Sequence, residues 1–231
     1  MKLLHIIATP RQESSNTLRI SNALLGTLRD KYSDLELDVL DLFESDLPSA
    51  AGDNIESKYH LMAGLSIDKQ HEASWKKIES LIEHFLSADI HVISAPMWNF
   101  SIPYALKYYI DAIVQPGYLF RYNENGQAEG LAVGKQMVCI TSRGGNYAPG
   151  TPFHPYDFQE PYLRAIFGFV GITDMQFINA NTMDVTPELR EASISAAIEE
   201  ARDLAANTDW QVDEIASVKE NPKGLKPPAA D

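Results

Sequence analysis

Two short and almost unbroken apolar runs, residues 90–95 and 136–141, constrain this chain more than any other feature. A strand that is apolar on both faces must be covered on both faces, as interior strands of a parallel sheet are when helices flank them. The surrounding sequence supplies those helices. Residues 3–8 read as a first strand, and Leu18, Leu24, Leu25 and Leu28 follow as one stripe at helical spacing. Residues 35–39 alternate at period two with one acidic face, the pattern of a second strand nearer a sheet edge. Ile78, Leu81, Ile82 and Phe85 recur at i, i+3, i+4 and i+7 and predict a helix from about 73 to 87. Ser101 and Pro103 open a further helix that Pro116-Gly117 closes, with Leu106, Tyr109, Ile110 and Ile113 facing inward. Asp157 and Glu160 fit a capping box ahead of a helix through about Phe169. Residues 175–178 make a fifth strand, and Thr186-Pro187 starts a last helix ending near Asn207. Strands alternating with helices predict an α/β, doubly wound, five-stranded parallel sheet with right-handed crossovers and helices on both faces.

At 231 residues the chain is one large domain rather than two small ones, with residues 1–207 as its body. Folding at this size buries roughly 70–75% of the unfolded surface, enough for a core without disulfides or structural metal. Residues 44–72 and 116–135 are too long for plain connections and read as surface excursions around a site. Residues 208–231, which carry Lys-Pro-Pro near their end, are expected to be largely disordered. Nineteen basic and 32 acidic residues leave a net charge of −13, which repels nucleic acid and anionic lipid and argues against both as partners. No apolar run approaches the ~20 residues of a membrane-spanning helix. The single cysteine, Cys139, excludes an internal disulfide framework and points to a reducing compartment, the cytoplasm. The opening apolar run is broken by His5 and meets Thr9-Pro10-Arg11 where a secretory peptide would place its cleavage site, so it reads as a buried strand.

In an open parallel sheet, ligands bind beyond the carboxyl ends of the strands, where strand order reverses. With the order 2-1-3-4-5 of flavodoxin-like folds, the loops after strands one, three and four are neighbours. The first carries Thr9, Arg11, Ser14, Ser15, Asn16 and Thr17, which bring hydroxyls, an amide and unpaired helix N–H groups to one spot, a setting for a phosphate dianion. Taken alone, Ser14 or Ser15 is a helix cap. The second carries Met97, Trp98, Asn99 and Phe100, two flat apolar surfaces around an amide, which alone is core packing as readily as a ligand wall. The third carries Ser142, Arg143, Gly144 and Gly145, and its glycines let backbone amides approach a planar ligand. Three loops at one edge therefore offer phosphate donors, an aromatic wall and exposed amides to a single ligand, and FMN has all three complementary parts.

These residues resemble the FMN-dependent NADH-azoreductases and quinone reductases of flavodoxin-like fold. The resemblance rests on Thr9-x-Arg11-x-x-x-Ser15-x-Thr17 and on Pro-Met-Trp-Asn-Phe at 96–100 continuing into Ile102-Pro103 and Leu106-Lys107. It extends through Phe120-Arg121-Tyr122 with Glu124-Asn125-Gly126, Ser142-Arg-Gly-Gly145, and Gly168-Phe-Val-Gly-Ile-Thr-Asp174. It spans roughly residues 1–205 in order. Thr9 and Thr17 stand where serine is usual, Trp98 replaces the commoner tyrosine, and the 44–72 excursion and the tail match no motif. The resemblance implies an FMN phosphate held by Thr9, Ser15, Asn16 and Thr17, and an isoalloxazine flanked by Met97, Trp98, Asn99, Phe100 and by Ser142, Arg143, Gly144, Gly145. It also implies sites at a homodimer interface. NADH or NADPH is then the donor, and quinones and azo compounds are the acceptors in a ping-pong cycle. Flavin N5 carries the chemistry, so no protein side chain is named as catalytic.

Tyr118, Phe120 and Tyr122 read either as hairpin packing or as a wall of the site, in the same or the partner subunit, with Phe120 and Tyr122 stacking on a nicotinamide or aromatic acceptor. Cys139 sits mid-strand and reads as an inert buried thiol. His5 and His91 fall on strands, and no histidine pair has metal-ligand spacing with a third ligand, so no metal is expected. The 130–135 segment is one residue short of a phosphate loop, and neither a G-x-G-x-x-G after a strand nor a G-x-S-x-G occurs. A flavodoxin-like electron carrier is the rival reading. The long 116–135 segment and the larger chain favour an enzyme.

Overall fold

The apolar runs pair as parallel strands. In the computed structural model, which describes residues 1–210, β1 (Lys2–Ile7), β2 (Glu36–Asp41), β3 (Ile90–Pro96), β6 (Gln136–Ser142) and β7 (Asp174–Ala180) form one parallel sheet in the order β2-β1-β3-β6-β7. That is the flavodoxin-like order expected, with β4 (Phe120–Tyr122) and β5 (Ala128–Gly130) apart as an antiparallel hairpin. Strand order turns back between β1 and β3, so the two chains of crossovers place helices on opposite faces. On one face α1 (Asn16–Lys31) and α6 (Pro187–Asn207) bury Ile20, Leu24, Leu28, Ile194 and Ala201 against Leu3, Val92 and Ile140. On the other, α3 (Glu72–Leu86), α4 (Tyr104–Ile113) and α5 (Glu160–Phe169) bury Trp75, Ile82, Leu106, Tyr109 and Phe167 against Leu4, Ile6, Ile93 and Cys139. The double coverage explains the unbroken apolar composition of β3 and β6. β2 lies at the edge and is only partly buried, as its acidic alternation implies.

Both excursions hold structure of their own. Residues 44–72 contain α2 (Asp53–Met62), and Leu47, Leu61 and Ile67 pack against the α3–α4 side of the core. The 116–135 segment runs from the end of α4 to the start of β6, so its hairpin lies at the amino end of the sheet. Its anchor is Phe120, buried 4.7 Å centroid to centroid from Phe169 in the last turn of α5. The hairpin also crosses the turn after α5 at two glycines. A β-carbon on Gly130 would stand 2.2 Å from the Gly171 amide nitrogen, so only glycine fits there.

Only the forward half of the capping box forms, and the reciprocal bond from the Asp157 amide goes to the His154 carbonyl instead. A 3-10 turn at His154–Tyr156 precedes α5, and Asp157 Oδ1 accepts the amides of Gln159 and Glu160 at 3.0 and 3.1 Å. Glu160 turns instead to Arg164 and Asn179. At the carboxyl terminus Trp210 is buried and donates to the Ala205 carbonyl at 3.1 Å, so ordered packing extends past the expected start of the tail at 208. Residues 211–231, on which the expectation of disorder mostly rests, lie outside the described residues.

Candidate functional site

The loops after β1, β3 and β6 meet at the carboxyl end of the sheet around a cleft of about 460 Å³. Thr9, Arg11, Ser15 and Asn16 line it from the first loop, Pro96, Met97 and Trp98 from the second, and Ser142 and Gly144 from the third. A fourth loop, after β7, contributes Met183, Asp184 and Arg190.

The first loop ends in the N-terminus of α1. Ser15 caps that helix, its hydroxyl accepting the Leu18 amide at 3.4 Å and standing 2.9 Å from the Thr17 hydroxyl. The amides of Asn16 and Thr17, in the first turn, have no intrahelical acceptor. They point with the helix dipole toward the cleft, which favours an anion. The Asn16 side chain donates to Met183 Sδ at 3.4 Å, tying this loop to the one after β7. Ser15 therefore both caps α1 and lines the cleft.

In the second loop Trp98 and Ser101 exchange backbone hydrogen bonds at 2.9 and 3.0 Å, closing a two-residue turn whose central residues, Asn99 and Phe100, have φ of 48° and 71°. Asparagine tolerates that region, whereas phenylalanine there is strained. Trp98 is propped by Phe43 and Tyr104, with ring centroids 5.9 and 6.1 Å away. Among the described residues the other non-glycine positive φ values belong to Gln12 and Thr182, in the loops after β1 and β7. Every such residue thus lies at this end of the sheet.

In the third loop the amides of Gly144 and Gly145 donate to no protein acceptor among the described residues, while their carbonyls accept from Asp184 and Thr182. A β-carbon on Gly144 would reach Asp184 Oδ2 at 2.5 Å. Arg143 behaves differently. It is 2% exposed, its Nη1 donates to Asp157 at 2.9 Å and its Nε to Thr141 at 3.0 Å, away from the cleft. Its backbone is also engaged, the amide with Ala180 and the carbonyl with Met183. Burial pulls its pKa below the ordinary arginine value, against the carboxylates of Asp157 and Glu160. Arg143 therefore does not line the cleft, its side chain turning to Asp157 and Thr141 instead.

Matched over residues 1–205, the sequence fits the family described as having the flavodoxin-like fold (Flavodoxin_2). The chain belongs to that family. Within it, the sequence is 37% identical over 204 residues to an FMN-dependent NADH:quinone oxidoreductase of Nitratidesulfovibrio vulgaris strain DP4, covering 88% of this chain and 97% of the relative. It is also 37% identical over 206 residues to FMN-dependent NADH:quinone oxidoreductase 2 of Pseudomonas syringae pv. tomato, covering 89% and 98%. Among solved structures, the FMN-dependent NADH-azoreductase from Bacillus anthracis strain Ames Ancestor in complex with FMN superposes with a TM-score of 0.77 at 26% identity, covering 88% of this chain and 99% of that one. The azoreductase from Bacillus anthracis strain Sterne gives 0.81 at 27% identity, covering 90% and 100%.

Set against the family member's expected residues, the cleft brings together Thr9, Ser15, Asn16, Met97, Trp98, Ser142 and Gly144. Thr17 is buried behind Ser15. Asn99 lines an adjoining groove with Trp98, Tyr104 and Tyr108, Phe100 is exposed beside Tyr156, and Gly145 abuts Tyr147 and Phe153. Phe120 and Tyr122 are at the opposite end of the sheet, so within one chain they cannot wall this cleft. Met183, Asp184 and Arg190 were not foreseen. The available signal was the Thr186-Pro187 helix start, which makes residues 181–185 another carboxyl-end loop. His5 and His91 are buried and neutral, held at about 4 and about 3 chiefly by burial. Burial likewise pushes the Cys139 thiol up, leaving it protonated. Among the described residues no three His, Cys, Asp or Glu side chains converge to hold a metal ion, and no helix is long and apolar enough to cross a membrane.

Proposed function

We propose that this chain is an FMN-dependent oxidoreductase that moves two electrons from NADH or NADPH to quinones and, by successive reductions, to aromatic azo compounds. The observation that carries the reading is the composition of one cleft, which joins a helix N-terminus, a strained tryptophan-bearing turn and two free glycine amides.

The residues present fit FMN. Ser15 and the first-turn amides of α1 would hold its phosphate, with the Thr17 hydroxyl bracing Ser15 from behind and Thr9, Asn16 and Arg11 in support. Trp98, Met97, Asn99 and Phe100 would bound one side of the ring, and the Gly144 and Gly145 amides with Ser142 the other. When bound, FMN supplies the redox chemistry, alternately taking two electrons from the nicotinamide and giving them to the acceptor. The chain's own tasks are orientation and electrostatics. The Gly144 and Gly145 amides stabilise negative charge on a group lying against them. The anionic tail is drawn to the α1 N-terminus despite a chain of net charge −13, because the dipole acts locally.

A homodimer completes this reading. Tyr104, Phe153, Tyr156 and Phe158 are exposed on the side of the cleft formed by α4 and the start of α5, a patch that a second copy would bury. Two-fold symmetry would then let the hairpin with Phe120 and Tyr122 reach the partner's cleft. The single buried Cys139 supports a reducing compartment, the cytoplasm.

The deciding experiment is anaerobic stopped-flow mixing of FMN-loaded protein with NADH or NADPH, then with a quinone or an azo dye. Bleaching by the nucleotide alone and recovery with either acceptor is the expected result. Bleaching only with an added reductase would assign an electron carrier, and failure to take up FMN would overturn the proposal.

A further inference from the structure

Arg143 is nearly fully buried, reaches no ligand space, and sits where three rim loops join. Its backbone clasps the loop after β7 through Ala180 and Met183. Its side chain meets Asp157, whose other oxygen fixes the amides of Gln159 and Glu160. Gln159, with no exposed surface, then donates from Nε2 to the carbonyls of Ala95 and Pro96 at 3.2 and 3.1 Å. One residue earlier, the Phe158 amide donates to the Phe100 carbonyl at 3.0 Å. Residues 157–159 therefore grip the 96–100 loop at both ends, and Arg143 holds 157–159. Among the described residues, the only direct hydrogen bond between the two loops is the Met97 amide on the Ser142 carbonyl at 2.8 Å.

A buried guanidinium is an expensive brace, since its desolvation offsets much of the attraction to the carboxylate. Here one nitrogen, Nη2, is left without a hydrogen bond, 3.6 Å from Glu160 Oε2. Apolar side chains of similar volume would fill the space more cheaply. The ion pair adds direction, because the planar fork sets distance and angle together.

We propose that Arg143 is a positioning residue: through Asp157 and Gln159 it fixes the separation of the 96–100 and 142–145 loops, the two walls of the cleft. The inference rests on reading the cleft as the flavin site, and it concerns the ring-holding part of that site alone. The phosphate-holding turn of α1 lies outside the strut.

The test uses the full chain with Gln159→Leu, which cuts the strut at its far end, and Asp157→Asn, which cuts it at the ion pair. In the flavin-free protein, the amides of Trp98 and Ser101 should exchange hydrogen about tenfold faster in either variant, with β1 amides unchanged. Affinities for riboflavin and FMN should both fall about tenfold while their ratio, which reports the phosphate contribution, stays at the wild-type value. Unchanged exchange at Trp98 and Ser101, or a ratio that moves while riboflavin binding does not, would overturn the strut. Should Asp157→Asn fail to fold, Gln159→Leu decides. Should wild-type protein bind neither flavin, the functional reading falls, and the exchange experiment still judges the strut.

Discussion

Asp184 reaches over Gly144 so closely that its Oδ2 lies 2.5 Å from the place a β-carbon there would occupy. The carboxylate ends a flexible, exposed side chain and can swing aside, so Gly144→Ala should lower stability by less than about 1 kcal/mol. The added methyl would nevertheless stand in the gap beside the free amides. FMN affinity should therefore fall by about tenfold or more. Urea denaturation and flavin-fluorescence titration measure the two quantities, and undiminished affinity would count against the placing of the ring at Gly144.

Trp98 lines the cleft, whereas Trp75 and Trp210 are each 1% exposed and lie in the two core layers. Titrating the flavin-free protein with FMN should quench the Trp98 share of the tryptophan emission. In Trp98→Phe the saturable quench should largely vanish while the remaining emission persists. A full-amplitude quench in that variant would place FMN elsewhere.

His5 and His91 set a pH dependence of stability. Burial holds them at about 4 and about 3, below the ordinary 6.5. As pH falls through 6.5 the unfolded chain gains protons that the folded chain does not, so stability declines until about pH 4 for His5 and about pH 3 for His91. At pH 5 each histidine should cost roughly 2 kcal/mol relative to neutral pH. Urea titrations at pH 7 and 5 measure the difference. His5→Gln, which can still reach Ser94, should remove about half of it. An identical pH dependence in that variant would exclude His5 as a source.

Tyr122 separates packing from function on the hairpin better than Phe120 does. Phe120 is 6% exposed, so Phe120→Ala should cost about 3–5 kcal/mol by leaving a core cavity. Tyr122 is 54% exposed, and Tyr122→Ala should leave stability within about 0.5 kcal/mol of wild type. If the hairpin enters the partner's cleft, Tyr122→Ala should slow turnover of aromatic acceptors without loss of bound FMN. Gel filtration at falling concentration gives the companion measurement, and a monomer with full activity would remove the hairpin from the site.

The interior place of residues 90–95 and 136–141 was legible because they are apolar on both faces, whereas the strand order rested on the flavodoxin-like pattern that the sequence resembles. The first-loop, second-loop and glycine residues were legible because strand order alone puts their loops together. The direction of the Arg143 side chain was not legible, since the Ser-Arg-Gly-Gly run fixes its place at the rim but not its rotamer, and the rotamer depends on Asp157, fourteen residues on. The reciprocal half of the capping box fails for a related reason: Glu160 meets Asn179, a partner in β7 that local spacing cannot reveal. Asp184 was invisible because an acidic loop residue carries no pattern until the fold sets it against Gly144.

Among the described residues the non-glycine backbone with positive φ, at Gln12, Asn99, Phe100 and Thr182, is confined to one end of the molecule, while tight glycine crossings and the Trp210 anchor close the other. Efforts to raise heat resistance would do best away from the rim. Glycine at position 100 or 182 would ease local torsion there, yet it would also let the mouth wander and forfeit the preset shape that the rest of the fold maintains.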